Sequence, residues 1–283
     1  MTPAPAGVVT RFAPSPSGLL HRGHAFSALT AHAAAREAGG RFLLRIEDID
    51  TPRCRPDFVR AIFEDLAWLG VAWETPVVFQ SQRADAYAQA LRSLRDRGLL
   101  YRCFRTRAEV LDEIARAPHG PQAPFFSGPL DGDEEPRRLA EGAPFAWRLS
   151  VAAAEAALGG FGGLSFIDEA LGEVAADPRR AGDVVLARKE VGVSYHLAVT
   201  VDDADAGVTL VTRGEDLIEA CHVQRLLQAL LGLPTPGYRH HRLIVGANGK
   251  RLAKRDAGET LRSFRAGGMT PETLRADLGA VAK

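Results

Sequence analysis

Three separated stretches of this sequence carry residue types that could act together on a phosphorylated substrate. Arg11-Phe12-Ala13-Pro14-Ser15-Pro16-Ser17-Gly18 leads into His21-Arg22-Gly23-His24. At the start of a helix, unpaired N–H groups and partial positive charge suit nucleotide phosphates. Gly23 leaves room for a nucleotide against the helix. The two imidazoles can donate hydrogen bonds to phosphate oxygens as charge builds in a transition state. Histidines at a helix start can also simply cap it. The second stretch is Arg45-Ile46-Glu47-Asp48-Ile49-Asp50, where a carboxylate could hold an amino group or be a solvated strand end. The third is Lys250-Arg251-Leu252-Ala253-Lys254-Arg255, a basic segment behind Asn248-Gly249. Such a loop can close on a triphosphate and neutralise departing pyrophosphate, or be a basic surface loop.

The elements that must position these groups are readable in outline. Val8 to Phe12 reads as a strand, and Pro14, Pro16 and Gly18 force a turn. His21 to Ala38 reads as a helix stopped by Gly39-Gly40, and Arg41 to Ile46 as a second strand. Strand, helix, strand predicts a βαβ unit and a parallel sheet, with Glu47 at its carboxyl end, where open α/β sheets bind ligands. A helix follows with Phe58, Ile62, Leu66 and Leu69 on one face, then another from a Ser81 cap through Tyr87, Leu91 and Leu94 to Gly98. Thr106 and Glu109 form a capping box for the next. Pro118 to Gly142 is rich in proline and glycine and reads as irregular. Short strands are expected around Trp147 and Phe166 in a small insertion. Val184 to Leu186, Leu197 to Val201 and Val208 to Thr212 read as buried strands of the main sheet. Glu219 to Leu231 reads as a helix stopped by Gly232, and Thr270-Pro271-Glu272 starts a last short helix.

Composition narrows the function classes. The chain has 283 residues, 46% hydrophobic and 25% charged, enough apolar material for a sizeable core without disulfide or metal staples. No run of ~18 uncharged apolar residues predicts a membrane span, and residues 1–7 lack the pattern of a secretory signal. Cys54, Cys103 and Cys221 form neither a disulfide framework nor a CxxC pair, which fits a reducing cytoplasm. Lys+Arg and Asp+Glu both number 35. Any nucleic-acid contact must therefore use local patches, such as Arg92 to Arg107 or the acid-free Arg239 to Arg255.

Together these motifs resemble the class I glutamyl-tRNA synthetases. The Arg11 to His24 segment is similar to their HIGH region, Arg45 to Asp50 to their R-I-E-D-x-D strand end, and Arg251 to Arg255 stands where they carry KLSKR, a form of KMSKS. Tyr195 to Asp203 and Val211 to Ile218 resemble two further motifs, and the likeness runs from Arg11 to about Leu278. Because the chain ends soon after its basic loop, it resembles the branch that lacks an anticodon-binding region and glutamylates the queuosine base of tRNA(Asp). Gln80-Ser81-Gln82-Arg83 is also similar to that branch.

The resemblance implies an α/β fold, a Rossmann-like doubly wound parallel sheet with an inserted smaller α/β subdomain. The expected division is 1–102 and 181–240 for two catalytic halves, 103–180 for the insertion and 241–283 for the basic loop and short C-terminal helices. It implies L-glutamate, ATP with Mg²⁺, and tRNA, most specifically tRNA(Asp) carrying queuosine, as partners of a monomer. His21, His24 and Lys254 are the expected catalytic residues. Ser15, His21, Gly23, His24 and Lys254 would bind ATP. Arg11, Ala13, Ser15, Glu47, Tyr195 and Arg213 would bind glutamate. Glu47 suits the ammonium, and Arg11 and Arg213 suit carboxylates. An ion pair of Arg213 with Glu215 or Asp216 is the purely structural alternative.

Three departures stand out. Relatives that bind zinc use C-x-C, then Tyr and Cys. Here only Cys103 is retained, with Arg105, Phe126 and Leu130 at about the other positions, so no zinc is expected. Arg251 and Ala253 replace Lys and Ser in the basic loop, and His196 stands where Asn is common. The alternatives in function are a truncated synthetase charging a tRNA 3′ end, and a catalytically silent paralogue. A small-molecule nucleotidylyltransferase shares HxGH but has no use for Arg45 to Asp50 or for Tyr195 with Arg213.

Overall fold

A computed structural model describes residues 7–116, 124–188, 192–244 and 260–279. In chain order the elements are Val9–Phe12 (β1), Arg22–Glu37 (α1), Arg41–Ile46 (β2), Pro56–Trp68 (α2), Glu74–Phe79 (β3), Ala84–Asp96 (α3), Leu100–Cys103 (β4) and Arg107–Arg116 (α4). Glu134–Ala140 (α5), Ala146–Leu149 (β5), Val151–Leu158 (α6), Ser165–Asp168 (β6), Gly172–Ala175 (β7), Val185–Arg188 (β8) and Gly192–Val193 (β9) follow. Tyr195–Asp205 (α7), Leu210–Gly214 (β10), Ile218–Leu231 (α8), Gly237–His241 (β11), Leu261–Ala266 (α9) and Pro271–Leu278 (α10) complete the chain.

The fold is α/β and doubly wound. β1, β2 and β3 pair in parallel in that order. β10, β11 and β6 form a second parallel group, with β7 antiparallel at its edge. Val9 N–H donates to Thr209 Oγ1 at 2.9 Å, and Thr209 N–H donates to the Val9 carbonyl at 2.9 Å. This seam joins the groups, so the order runs β3-β2-β1-β10-β11-β6-β7. Strand order reverses between β1 and β10, and a ligand crevice opens at such a switch point beyond the carboxyl ends of the strands.

Small residues let α1 lie close to the sheet. Ala25, Ala28, Ala31, Ala34 and Ala35 are buried, and Thr10 Oγ1 reaches the Ala31 carbonyl at 2.8 Å. One core gathers Leu20, Leu44, Ile46, Ile62 and Leu66 around β1, β2 and α2. The other gathers Leu94, Leu149, Leu197, Leu227 and Tyr238 around α3, α7 and α8. Each such aliphatic side chain contributes about 1.5–3 kcal/mol on full burial. Among the described residues no helix is long and apolar enough to cross a membrane.

Several expectations are corrected. Leu197 to Val201 is not a strand but the buried middle of α7, entered through Ser194, whose hydroxyl accepts from Leu197 N–H. A helix buried on most sides shows the same unbroken apolar run as a buried strand. Val184 to Leu186 is extended but lies in an antiparallel sheet, ordered β4-β5-β8-β9, rather than in the main sheet. The strand around Trp147 is in that sheet, and the strand around Phe166 is in the parallel one. The segment read as irregular contains α5, while residues 117–123 lie outside the described residues. Ser81 does not cap α3. It sits in a 3-10 turn at Gln80–Gln82 and gives its N–H and hydroxyl to Asp48, at 2.8 and 2.7 Å. The Thr106–Glu109 capping box is present, with bonds of 3.2 and 2.6 Å.

Candidate active site

Beyond β1 and β10 lies a cavity of about 450 Å³. Arg11, Ala13, Ser15, His21, Gly23, His24, Glu47, Tyr195 and Arg213 all line it. The structure thus brings together every site residue expected from the sequence except Lys254, which lies outside the described residues, as do Arg251, Ala253 and the Asn248-Gly249 turn.

Local bonds fix the first wall. The turn after β1 is held where Glu47 N–H donates to the Pro14 carbonyl at 3.0 Å and Arg55 N–H to that of Pro16 at 3.1 Å. His21 is the N-cap of α1. Its Nδ1 accepts from Gly23 N–H at 3.1 Å, and His24 Nδ1 accepts from His21 N–H at 3.1 Å. The imidazoles therefore do cap the helix. Because both Nδ1 atoms are acceptors, each neutral ring carries its proton on Nε2, a donor suited to phosphate oxygen. The ring centroids are 3.8 Å apart. A Cβ on residue 23 would come within 3.1 Å of the His21 ring, so Gly23 makes room for that ring. The site end of α9 is stitched to the same place. Thr260 bridges His21, and Leu261 N–H donates to the Leu20 carbonyl at 2.9 Å.

Beneath the cavity is a buried ionic network. Arg11 Nε and Nη2 fork onto Asp203 at 3.0 and 3.2 Å, and its Nη1 donates to the Thr212 carbonyl at 3.2 Å. Arg45 bonds Asp203 at 2.5 Å and Glu47 at 3.1 Å. Asp202 accepts from Gln80 at 2.8 Å, Arg83 at 2.6 Å and the Tyr87 hydroxyl at 2.9 Å. Burial alone would raise the Asp203 carboxyl, but Arg11 and Arg45 hold it down at about 2. The Glu47 carboxyl is raised by burial, a push that Arg45 opposes. Arg11 is thus already matched by a carboxylate.

Arg213 is not. It is 6% exposed, and its partners are His240 Nε2 at 3.2 Å, Gln224 Oε1 at 2.9 Å and Cys221 Sγ at 2.8 Å. The alternative ion pair with Glu215 or Asp216 is absent among the described residues. Tyr195 beside it has its phenol raised by burial. Burial and then Arg213 push His196 down to about 4, so that imidazole is neutral. The following Gly214 lets Asp216 and Leu243 pack close, since a Cβ there would lie 2.5 Å from Asp216 Oδ1 and 2.9 Å from Leu243 Cδ2 and would push those side chains aside.

The sequence reading gave no roles to Asp202, Asp203 and Arg45, although all three stood inside its motifs. Nothing singled out His240, Asp168 or His241. His241 Nε2 lies 2.7 Å from Ser27 Oγ on the cavity wall.

Among the described residues, several arginines of the two basic patches are engaged internally. Arg239 pairs with Glu169, Arg242 donates to the Leu278 carbonyl, Arg97 to that of Leu230, and Arg102 pairs with Glu135. No group of three or more His, Cys, Asp or Glu side chains is placed to hold a metal ion among the described residues. Around Cys103 the packing is cationic and aromatic. Arg148 and Arg105 lie 4.6 and 5.8 Å from the Phe125 ring.

The arrangement is a cation with no acid partner among the described residues, an acid facing the same cavity, and a helix N-terminus with two imidazole donors. Residues 7–280 match the family described as tRNA synthetases class I (E and Q), catalytic domain. The chain belongs to that family. It is 46% identical over 282 residues to the "Glutamyl-Q tRNA(Asp) synthetase" of Rhodobacter capsulatus, covering 96% of this chain and 100% of that one. It is 42% identical to the protein of the same name from Symbiobacterium thermophilum, covering 93% of this chain and 83% of that one. Among solved structures, the glutamate–tRNA synthetase of Elizabethkingia anophelis superposes with a TM-score of 0.73 at 29% identity, over 89% of this chain and 53% of that one. As a class I synthetase the chain is a ligase whose substrates are ATP, an amino acid and a tRNA.

Proposed function

We propose that this protein activates L-glutamate with ATP in the switch-point cavity and transfers it to the queuosine base of tRNA(Asp). One observation carries the choice of amino acid: Arg213 is a buried guanidinium with no protein carboxylate among the described residues, sharing a cavity with Glu47. A buried cation needs an anion, and a substrate carboxylate supplies it. Glutamine would leave Arg213 under-compensated, which disfavours it. Glu47 receives the ammonium. Arg11, committed to Asp203, holds the cavity floor and lends its field. Ala13, Ser15 and Tyr195 complete the glutamate pocket.

A glutamate α-carboxylate oxygen attacks the α-phosphorus of ATP, and the bond to the bridging oxygen breaks to release pyrophosphate. Nε2–H groups of His21 and His24, with Lys254, stabilise charge on the phosphates, while Ser15 and Gly23 border the nucleotide. Mg²⁺ would accompany the nucleotide and supply charge neutralisation to its triphosphate. A hydroxyl of the queuosine cyclopentene ring then attacks the glutamyl carbonyl, and AMP departs with the electron pair. The names of the relatives that this chain spans almost end to end support that acceptor. We place the reaction on a single chain in the cytoplasm.

Labelled glutamate and ATP incubated with tRNA(Asp) with and without queuosine, and with tRNA(Glu), test the proposal. Labelling restricted to the queuosine-bearing tRNA, and insensitive to prior removal of its 3′-terminal CCA, is expected. Equal labelling of both forms of tRNA(Asp), or of tRNA(Glu) alone, refutes it. The second reading, a 3′-end glutamyl ligase, is favoured by the likeness to the Elizabethkingia anophelis synthetase, and removal of the 3′-terminal CCA would abolish its product.

A further inference from the structure

The unmatched charge of Arg213 raises the question of what aims it. Its three nitrogens are each tied to a neutral acceptor, His240 through Nε, Gln224 through Nη1 and Cys221 through Nη2. Each terminal nitrogen keeps one further N–H, and together these form a fork that fits the two oxygens of a carboxylate. The fork points usefully only if the Nε side is held. The holder is His240 on β11, whose Nε2 must offer a lone pair to Arg213. Its proton therefore sits on Nδ1, and Nδ1 lies 2.7 Å from Asp168 Oδ2 at the end of β6. Asp168 is anchored in turn, since its Oδ1 accepts from Ala170 and Leu171 N–H at 2.9 and 3.0 Å. The pair is sealed, with side chains 1% and 3% exposed. The Tyr238 ring lies flat on His240 at 5.9 Å, and also under Arg213 at 5.4 Å.

We propose that Asp168 and His240 are positioning residues for substrate selection: Asp168 fixes the His240 tautomer, and His240 orients the Arg213 guanidinium toward the substrate carboxylate. This rests on the reading of Arg213 as the carboxylate anchor. Neither residue lines the cavity, so both act through Arg213. A second proton on His240 would set an N–H⁺ against the Arg213 Nε–H and break the orientation. The charged and titratable groups facing His240 are Asp168 from β6, Arg213 from β10, Cys221 from α8, and Tyr238 and His241 from its own strand.

The test is glutamate-dependent ATP–pyrophosphate exchange by the full chain with tRNA(Asp) present, following KM for glutamate, KM for ATP, kcat and the pH profile. His240→Leu removes the acceptor. It is expected to raise the glutamate KM about tenfold or more while ATP KM and kcat stay within about twofold. His240→Gln can place an uncharged acceptor near Nε2. It is expected to recover most of the glutamate KM and to lose the acid-side fall of kcat/KM that belongs to His240, leaving the one belonging to Glu47. Asp168→Asn should raise the same KM as His240→Leu, and if it does not fold the two His240 variants decide. A His240→Leu enzyme with unchanged glutamate KM, or one in which both KM values, kcat and melting temperature deteriorate together without rescue by Gln, overturns the inference. Wild-type protein without glutamate-dependent exchange overturns the substrate reading and this inference with it. An active wild type with an indifferent His240→Leu overturns this inference alone.

Discussion

Asp203→Asn probes the ionic floor of the cavity with almost no change of shape. Asp203 is the shared counter-charge of Arg11 and Arg45. Its carboxyl is held at about 2, against an ordinary 3.8. That difference, at 1.36 kcal/mol per unit, corresponds to about 2–3 kcal/mol of favourable interaction. Removing one partner of a buried pair costs about 3–5 kcal/mol when the other charge stays behind. Here Glu47 and Asp202 still face Arg45, and Glu47 also attracts Arg11, so the lower figure applies. At about 2–4 °C per kcal/mol for chains of this size, Asp203→Asn should lower the melting temperature by roughly 5–10 °C at neutral pH. The group has a depressed pKa when folded, so its stabilisation is complete above about 4 and is lost as pH falls through about 2. The gap between wild type and variant should therefore close as acid is added. Asp57→Asn, which breaks only the exposed pair with Arg60, serves as control and should change stability by no more than about 0.5 kcal/mol. Thermal melts of the three proteins from neutral pH downward decide the matter. An Asp203→Asn protein melting within a degree of wild type, or a gap that widens in acid, refutes the reasoning.

Three other outcomes are expected. Arg213→Ala should raise the glutamate KM by about 10- to 100-fold, from the loss of a charge-assisted bond of ~1.5–3 kcal/mol, with the ATP KM little changed; steady-state exchange kinetics read both. Lys254→Ala should lower the activation rate by about 10²–10³, the scale of one preorganised donor, with modest effect on glutamate affinity; single-turnover adenylate formation measures it. Prolonged dialysis against a zinc chelator, with Mg²⁺ restored for the assay, should leave activity and melting temperature unchanged, because only Cys103 remains of a four-ligand pattern.

What could be read from the sequence was what short-range physics determines. The His21 cap, the turn through Pro14 and Pro16 and the strand end at Glu47 depend on neighbours a few positions away. The network that gives these residues their charge state does not. Arg45 and Asp203 are 158 positions apart, and no local pattern says which carboxylate a given arginine will meet. For the same reason Arg11 looked available for substrate until its bonds to Asp203 were seen. α7 was misread because a helix buried on most sides loses the polar stripe that marks its period. β3 went unread because Pro76 interrupts its apolar run, which an edge strand tolerates. Ser81 had the chemistry of a helix cap, but Asp48 from the loop after β2 claimed it.

The seam between Val9 and Thr209 has a consequence for how the protein is made. Arg11 and Arg45 leave the ribosome long before Asp203, which stands 192 positions after Arg11. Until Asp203 arrives, the amino-terminal strands would have to bury two guanidiniums with Glu47 as their nearest acid. Compaction of that half is therefore unfavourable on its own, and closure over such sequence separations is slow. The Arg11–Asp203 pair and the Val9–Thr209 seam beneath the catalytic crevice can form only once α7 and the start of β10 have been synthesised.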